Sequence, residues 1–211
     1  MNTQVKICGL KRPEDVEAAL RYGADMLGFI VEAKSPRRLS VEQAAQLSRP
    51  AFGSAKRVAV TVNADEGLLD RICANMCPDY IQFHGDESPK TLRYISSFTG
   101  VAVIKAVTIC EQADLEQVQA YAGCADYILL DAKAPKGETQ RGGHGLSFDW
   151  NLLKGGTTKT PLILAGGLNL GNIKAAKATG IQFFDVSSGV EAAPGLKDHD
   201  KIQSFMKAAH E

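Results

Sequence analysis

The chain has 211 residues, of which 45% are hydrophobic and 23% charged, and its 24 basic and 24 acidic residues give a formal net charge of zero. This balance is typical of a globular protein with one substantial core, and it argues against a disordered chain. Without a basic excess we expect neither nucleic acid nor an anionic membrane as the main partner. No apolar run approaches the ~20 residues of a membrane helix.

The N-terminus and the cysteines both predict a cytoplasmic protein. The first six residues lack the apolar stretch of a secretory signal. An odd number of scattered cysteines is not a disulfide framework, so the thiols are expected to be reduced. The cysteines are Cys8, Cys73, Cys77, Cys110 and Cys124.

A short apolar strand, a polar or glycine-containing bend and a helical segment recur along the whole chain. Strands are predicted at Val5–Cys8, Met26–Val31, Arg57–Val62, Tyr80–Phe83, Val101–Val107, Tyr127–Asp131, Pro161–Ala165 and Phe183–Val186. They are nearly continuously apolar, as expected of parallel strands covered on both faces. Helices are predicted at Arg12–Tyr22, Val41–Leu47, Glu66–Met76, Pro89–Ser97, Ala113–Tyr121, Trp150–Lys154, Leu170–Thr179 and Asp198–Ala209.

This alternation predicts an α/β protein with a single (β/α)8 TIM barrel, residues 1–211 forming one domain. The chain is compact for this fold, which typically has ~250 residues. A doubly wound open sheet would show the same alternation. The barrel is favoured because the strands number eight and because polar, glycine-rich residues follow strands rather than helices.

The loops after the last two predicted strands are the richest in glycine and serine. In TIM barrels these loops frequently bind phosphate, together with the N-terminus of a short extra helix, which we expect to open between Gly189 and Glu191. Paired glycines let the backbone approach an anion, and serines add donors. Either loop alone would fit a simple turn, but together they predict a phosphate site. The residues concerned are Gly166, Gly167, Ser187, Ser188 and Gly189.

Three candidate site residues stand at predicted strand ends. Buried cysteines are mostly inert. At the carboxyl end of a barrel strand, however, Cys8 could be a general base, a nucleophile or an unreactive residue in the wall of the site. Asp131 is either a structural acid that binds loop N–H groups or a proton donor, since a partly dry rim favours its protonated form. Asp185 is expected to orient the neighbouring phosphate loop.

Further candidates lie in the loops after the second, fourth and sixth strands. Arg37 and Arg38 carry guanidinium groups suited to carboxylates or phosphates, but at least one of the two is expected to be merely solvated. His84 is interpreted as a hydrogen-bonded rim residue. The stretch 133–148 is long enough to be a lid.

The sequence predicts neither a metal nor an organic cofactor. Cys73 and Cys77 are four residues apart on a predicted helix, but no complementary His or Cys pair has metal-ligand spacing, so core packing is the better interpretation. No phosphate-binding loop of the Walker type and no dinucleotide fingerprint is present.

Ten segments, in order from residue 5 to about 205, carry a family resemblance. They are Lys6–Gly9, Gly23–Phe29, Lys34–Arg37, Val60–Asn63, Gln82–Gly85, Leu129–Asp131, Gly142–Gly145, Phe148–Trp150, Ala165–Asn169 and Asp185–Glu191. Together they resemble the phosphoribosylanthranilate isomerases. The resemblance implies a TIM-barrel isomerase of tryptophan biosynthesis that needs no cofactor. Such an enzyme converts N-(5-phosphoribosyl)anthranilate to 1-(2-carboxyphenylamino)-1-deoxyribulose 5-phosphate by an Amadori rearrangement.

The resemblance also implies roles for individual residues. Cys8 would be the general base, Asp131 the general acid, and Arg37 the group that holds the anthranilate carboxylate. The loops after the last two strands would bind the phosphate. Further contacts with the substrate or its phosphate are expected from His84, Asp185, Gly143 and Gly145.

The chain departs from the family at two positions and leaves two alternatives open. Relatives commonly carry Tyr in place of Arg38 and Ser in place of Ala165. Another aldose–ketose isomerase of the phosphosugar barrels would commonly use paired aspartates, against which Cys8 argues. The other alternative is a non-catalytic barrel that only binds a phosphorylated ligand. The joint presence of Cys8, Asp131 and Arg37 argues against it. We expect a monomer whose partner is a small phosphorylated molecule.

Overall fold

Eight parallel strands form a closed barrel in the computed structural model, which describes residues 3–110, 113–132, 150 and 158–211. Strand β1 pairs with both β2 and β8, and consecutive pairings complete the circle. The predicted barrel is therefore confirmed, and the open sheet is wrong. The strands are β1 (Gln4–Cys8), β2 (Met26–Val31), β3 (Lys56–Thr61), β4 (Tyr80–Phe83), β5 (Ala102–Ile109), β6 (Tyr127–Ala132), β7 (Leu162–Leu164) and β8 (Phe183–Val186).

Helices connect the strands on the outside of the barrel. In the described ranges they are α1 (Pro13–Arg21), α2 (Val41–Ser48), α3 (Glu66–Met76), α4 (Pro89–Thr99), α5 (Asp114–Ala120), α6 (Ile173–Lys177) and α7 (His199–His210). None of these helices has the length and apolar character needed to cross a bilayer. The helix predicted at Trp150–Lys154 lies outside the described residues beyond Trp150 itself.

Helix starts follow the local chemistry of the chain. Ser40 caps α2, accepting the N–H of Gln43 while the Gln43 side chain accepts the N–H of Ser40. Such a reciprocal capping box satisfies two backbone donors that the first turn leaves unpaired. Pro13 stands in the first turn of α1, as predicted, where its missing N–H costs nothing.

Helix α6 is shorter than the predicted Leu170–Thr179. The Asn169 side chain accepts the N–H of Gly171 at 2.8 Å, and the Asn172 side chain accepts the N–H of Asn169 at 2.8 Å. Such local side-chain bonds compete with helix formation. The segment therefore stays a turn, and the helix begins at Ile173.

The extra helix predicted to open between Gly189 and Glu191 is present only as a single 3-10 turn, Ser188–Val190. A short antiparallel hairpin of Glu191–Ala193 with Leu196–Lys197 follows it and was not predicted. Glu191 has an extended backbone (φ −107°, ψ 147°) as the first residue of this hairpin, and its side chain pairs with Arg37 across the rim. A two-residue strand, Arg38–Leu39, adds to the edge of β2 and was not predicted either.

The barrel interior changes from apolar to polar towards the carboxyl ends of the strands. Tyr127 packs edge-to-face on Tyr80 and on Phe183, with ring centroids 5.8 and 5.4 Å apart. These three rings come from the first or second residues of β4, β6 and β8, so they form a floor. The polar side chains above this floor belong to a cavity at the opposite end.

Candidate active site

A cavity of about 120 Å³ opens at the carboxyl ends of the barrel strands. It brings together most of the site residues predicted from the sequence. Gly189 does not line it, and Gly143 and Gly145 lie outside the described residues. The predicted residues that line it are Cys8, Arg37, His84, Asp131, Gly166, Gly167, Asp185, Ser187 and Ser188.

Cys8 lies above a buried ion pair. Lys6 and Cys8 are two residues apart on β1 and therefore face the same side of the strand. The register sets Lys6 beside Asp185 of β8, and the Lys6 Nζ donates to Asp185 Oδ1 at 2.9 Å. Lys6 is completely buried. The thiol thus has one cation and one carboxylate as near neighbours.

The two charges act on the thiol in opposite directions. Burial raises the pKa of Cys8 most strongly, Lys6 lowers it, and Asp185 raises it again, so that the net shift is upward. Burial would lower the pKa of Lys6, but Asp185 and Cys8 together raise it. Lys6 therefore stays charged and offsets part of the cost of forming a thiolate.

Gly28 makes room for this arrangement. It pairs with Cys8 in the register of β1 and β2. A Cβ atom at Gly28 would lie 2.8 Å from the Cys8 Sγ and 3.1 Å from the Lys6 Nζ. Both side chains therefore occupy the space over one glycine, which explains why the resemblance motif at Gly23–Phe29 contains it.

His84 and Asp131 form the opposite side of the cavity. The His84 Nε2 lies 3.1 Å from Asp131 Oδ2, and the His84 Nδ1 lies 3.2 Å from the Gln82 Nε2. An amide nitrogen can only donate, so Nδ1 accepts and the ring proton lies on Nε2, which donates to the Asp131 carboxylate. His84 thus holds the predicted acid in place.

Arg37 lines the cavity, whereas Arg38 is exposed and does not. The Arg37 Nε and Nη2 donate to the two carboxylate oxygens of Glu191, each at 2.7 Å. Lys197 also donates to Glu191, at 2.9 Å, and to the carbonyl of Ser187, at 2.9 Å. Glu191 therefore joins the loop after β2 to the loop after β8.

The pKa values of this buried cluster follow from its charges. Burial would raise the pKa of Glu191, but Arg37 and Lys197 lower it. Burial lowers the pKa of Lys197, and Glu191 only partly reverses this effect. Burial would lower the pKa of Arg37 as well, but the bonds to Glu191 raise it. Glu191 is consequently a carboxylate that fixes the guanidinium.

The loops after β7 and β8 meet at the same side of the cavity. Gly166 and Gly167 have φ angles of 79° and 71°. Two successive residues in this left-handed region strongly favour glycine, and such turns expose neighbouring backbone N–H groups that can bind anions. Ser187 and Ser188 line the cavity beside them.

Sequence reasoning missed Lys6, Gln82, Glu191 and Lys197. A signal existed for Lys6, because a charged residue inside an apolar strand, two positions before a candidate base, faces the same side. The roles of Glu191 and Lys197 depend on contacts across the rim, which leave no local signal in the sequence. In the described part of the chain no group of three His, Cys, Asp or Glu side chains is arranged to hold a metal ion.

Fold and cavity together define a TIM-barrel enzyme with a candidate acid, a candidate base and candidate anion-binding loops at its carboxyl rim. Residues 5–208 match the family model of N-(5'-phosphoribosyl)anthranilate isomerase. The chain therefore belongs to the N-(5'-phosphoribosyl)anthranilate isomerase family.

Individual relatives agree over the whole length. The N-(5'-phosphoribosyl)anthranilate isomerase of Rhodopseudomonas palustris (strain TIE-1) is 46% identical over 210 residues, covering 99% of either chain. The crystal structure of phosphoribosyl anthranilate isomerase from Thermotoga maritima has a TM-score of 0.88 and 37% identity, covering 98% of either chain. A second structure, of phosphoribosyl anthranilate isomerase in complex with reduced 1-(o-carboxyphenylamino)-1-deoxyribulose 5-phosphate, has a TM-score of 0.83 and 34% identity, covering 98% of either chain.

Proposed function

We propose that this chain catalyses the isomerisation of N-(5-phosphoribosyl)anthranilate to 1-(2-carboxyphenylamino)-1-deoxyribulose 5-phosphate in tryptophan biosynthesis. The observation that carries the proposal is the pairing of Cys8 with Asp131 across one cavity. Their strands, β1 and β6, are three strands apart around the barrel in one direction and five in the other. A substrate in the cavity would thus have a candidate base and a candidate acid on different sides.

The rearrangement needs one proton donor and one proton acceptor. Asp131 protonates the ring oxygen of the ribose while the amine lone pair forms an iminium, which opens the ring. Cys8 as thiolate then removes the proton from C2 to give an enolamine, which tautomerises to the ketose. The iminium cation accepts the electron pair, so the step needs no Lewis acid.

Arg37 is proposed to bind the anthranilate carboxylate. Glu191 occupies Nε and Nη2 of the guanidinium and holds it at the edge of the cavity. The substrate carboxylate would therefore meet Nη1. A charge-assisted bond from a guanidinium that cannot rotate is directional, which suits the recognition of one end of the substrate.

The phosphate is proposed to bind at the loops after β7 and β8. Gly166 and Gly167 offer backbone N–H groups, and the hydroxyls of Ser187 and Ser188 add donors. Gly189 belongs to the same loop although it does not line the cavity. Contacts from Gly143 and Gly145 remain predictions, because both lie outside the described residues.

His84 and Asp185 are proposed to touch the substrate between its two ends. Both line the cavity. Asp185 is tied to Lys6 and His84 to Asp131, so both are held in fixed positions. They could accept or donate hydrogen bonds to the ribose hydroxyls while they orient the base and the acid.

We also propose a cytoplasmic monomer whose 211 residues form one domain. The five cysteines are all unpaired, which fits a reducing compartment. Size-exclusion chromatography with light scattering is expected to give one species near the chain mass of 22.6 kDa. A species of twice that mass would contradict the monomer.

The reaction is tested with purified protein, EDTA and freshly generated phosphoribosylanthranilate, by following the loss of anthranilate fluorescence. Cys8→Ser and Asp131→Asn are each expected to slow kcat by at least ~100-fold, because each removes a proton-transfer group. Cys110→Ser and Asp70→Asn, at exposed positions, are the matched controls and should retain full rates. Equal rates in all variants would overturn the residue roles, and ligand binding without turnover by the unmodified protein would overturn the enzyme.

A further inference from the structure

We propose that Gln82 is a positioning residue whose side-chain amide, by turning over, lets the His84–Asp131 pair gain and lose one proton. The inference rests on the proposed function, in which Asp131 must be protonated to open the ribose ring. Gln82 contacts His84 and lines the same cavity as the acid, and the proposal assigns its amide a role beyond filling space.

The observed geometry describes the pair without its extra proton. The Gln82 Nε2 donates to His84 Nδ1 at 3.2 Å, so the ring proton is on Nε2 and donates to Asp131 Oδ2 at 3.1 Å. In this arrangement Asp131 Oδ2 accepts a hydrogen bond and therefore carries no proton itself. This oxygen can deliver a proton to the substrate only after one has been transferred to it.

Adding one proton changes what Gln82 must offer. The new proton enters at Nδ1, and the proton of Nε2 passes to Asp131 Oδ2, so that Asp131 O–H now donates to Nε2. An N–H at Nδ1 cannot face the amide nitrogen, since both would be donors. The amide must turn by about 180° so that Gln82 Oε1 accepts from Nδ1–H. The same turn is needed if the proton stays on a cationic imidazole.

The structure leaves the amide free to make this turn. Gln82 is 1% exposed, yet among the described residues its Oε1 has no hydrogen-bond partner. Buried polar atoms are nearly always paired, and an orphan calls for an explanation. An amide held at both ends would resist turning, whereas here the turn breaks one hydrogen bond and makes another. The unpaired oxygen is thus the acceptor that the protonated pair requires.

The backbone of His84 is held by contacts that do not involve Gln82. The His84 backbone N–H donates to the Thr61 carbonyl at 2.8 Å. On either side of His84, the carbonyls of Phe83 and Gly85 accept from the buried Lys105 Nζ, at 3.5 and 2.7 Å, and Lys105 is paired with Glu87 at 2.8 Å. Changing Gln82 should therefore alter the protonation of the ring without moving the backbone that carries it, and Asp131 still contacts the ring through Nε2.

Other ionisable groups face the pair and set its background charge. Across the cavity these are Cys8 and the ion-paired Asp185, and at its edge Lys34 and Arg37. Behind the loop lies the Lys105–Glu87 pair. None of them contacts the Gln82 amide in the hydrogen bonds of the described residues. Their effect is common to all Gln82 variants, so comparisons between variants isolate the amide.

The test uses two substitutions with different expectations. In Gln82→Met the side chain keeps its length but neither donates to Nδ1 nor accepts from Nδ1–H, so both protonation states lose one hydrogen bond and the pH of proton uptake should change little. In Gln82→Glu the side chain only accepts, so uptake should move to a higher pH by about one unit. One unit corresponds to a tenfold change in the equilibrium, the size expected for one hydrogen bond to a charged group. Gln46→Met, on the exposed side of α2, is the control.

Protonation of His84 is read from the ¹⁵N signals of the ligand-free protein across pH. The chain has four histidines, and a His84→Asn variant identifies the signal. At high pH the unmodified protein should show the proton on Nε2. In each variant, the pH at which kcat/KM falls on the alkaline side should shift in the same direction as the ¹⁵N midpoint.

An upward shift in Gln82→Glu with little change in Gln82→Met and in Gln46→Met would support the proposal. An amide that could only donate would stabilise the unprotonated ring alone, so a rise of about one unit in Gln82→Met would overturn it, as would an Nδ1–H tautomer in the unmodified protein at high pH. An inactive unmodified protein would instead overturn the proposed function, while the tautomer measurement on the free protein still decides the role of Gln82.

Discussion

Lys6 shows how one residue connects strand register to chemistry. It stands in an apolar strand, is completely buried, and donates to Asp185 from the neighbouring strand. A buried ammonium is costly unless it is paired, and here the pairing carboxylate belongs to the far end of the chain. The cation that favours a thiolate at Cys8 is therefore held by a contact between β1 and β8.

The reactivity of Cys8 should respond in opposite directions to the two partners. Lys6→Met removes the charge that lowers the pKa of the thiol, so the pKa rises further, and Asp185→Asn lowers it. At pH 8, alkylation of Cys8 by iodoacetamide should be about tenfold slower in Lys6→Met for each unit of upward shift, and faster in Asp185→Asn. Mass spectrometry reports both, with the exposed Cys110 as internal reference. Equal changes in both variants would rule out this electrostatic account.

Gly28→Ala should reduce activity while the fold persists. The new methyl group would lie 2.8 Å from the Cys8 Sγ and 3.1 Å from the Lys6 Nζ, so one of the two must move. A displacement of about 1 Å at a reacting group costs roughly 100-fold in rate. The circular dichroism spectrum should stay unchanged while kcat falls. Full activity would show that the thiol position is not critical.

At the scale of elements, periodicity and end signals predicted most boundaries within two residues. Runs such as Met26–Val31 and Glu66–Met76 have the predicted ends because a polar or capping residue stands just outside each. The prediction failed where side-chain contacts override the periodic pattern. Local bonds of Asn169 and Asn172 keep the segment before α6 a turn. Glu191 lies in a hairpin with Lys197 and pairs with Arg37, and the sequence around it contains no sign of these contacts.

The capping box of α2 should contribute measurable stability. Ser40→Ala removes the side-chain acceptor for the Gln43 N–H, and loss of such a cap costs about 1 kcal/mol. Urea unfolding at pH 7 measures the change. Ser97→Ala, an exposed position inside α4, is the control and should be neutral or slightly stabilising, because alanine is the better helix former. A cost equal in both variants would argue against capping.

At the scale of the whole molecule, Asp15 ties the first helix to the last. Its completely buried carboxylate accepts a hydrogen bond from Arg12, the residue directly before Pro13 at the start of α1. The same carboxylate lies 2.9 Å from the Nε2 of His199, the first residue of α7. Arg12 also donates to the Lys197 carbonyl. These bonds fasten the final hairpin and helix onto the first βα unit, beside the strands that close the barrel.

This link should make stability depend on pH. Burial would raise the pKa of Asp15, but the bonds from Arg12 and His199 lower it below the ordinary 3.8. A carboxyl with a depressed pKa contributes stability that is complete above its unfolded value and is lost as pH falls through the folded one. Asp15→Asn should therefore cost about 1–3 kcal/mol in urea unfolding at pH 7 and less below pH ~4. Glu17→Gln, exposed on α1, is the control; a cost independent of pH would contradict the assignment.

The candidate site was predictable where chemistry repeats at strand ends. Cys8, Asp131 and Asp185 end or nearly end their strands, and the carboxyl ends of barrel strands lie together, so their grouping followed from strand order alone. Gln82 escaped prediction because it lies one residue inside a strand and looks like an ordinary polar residue. Its significance depends on which ring nitrogen it faces, and only side-chain positions reveal that.

The pairing of β1 with β8 has a consequence for protein synthesis. Lys6 and Asp185 are 179 positions apart. At 5–20 residues per second, the ribosome needs on the order of 10 s or more to make the intervening chain. During that time the thiol of Cys8 has no eighth strand beside it and no enclosed cavity above it. The thiol at position 8 is thus made early and buried last, so its oxidation should be more frequent in newly made protein than in the mature barrel, where Cys8 is buried.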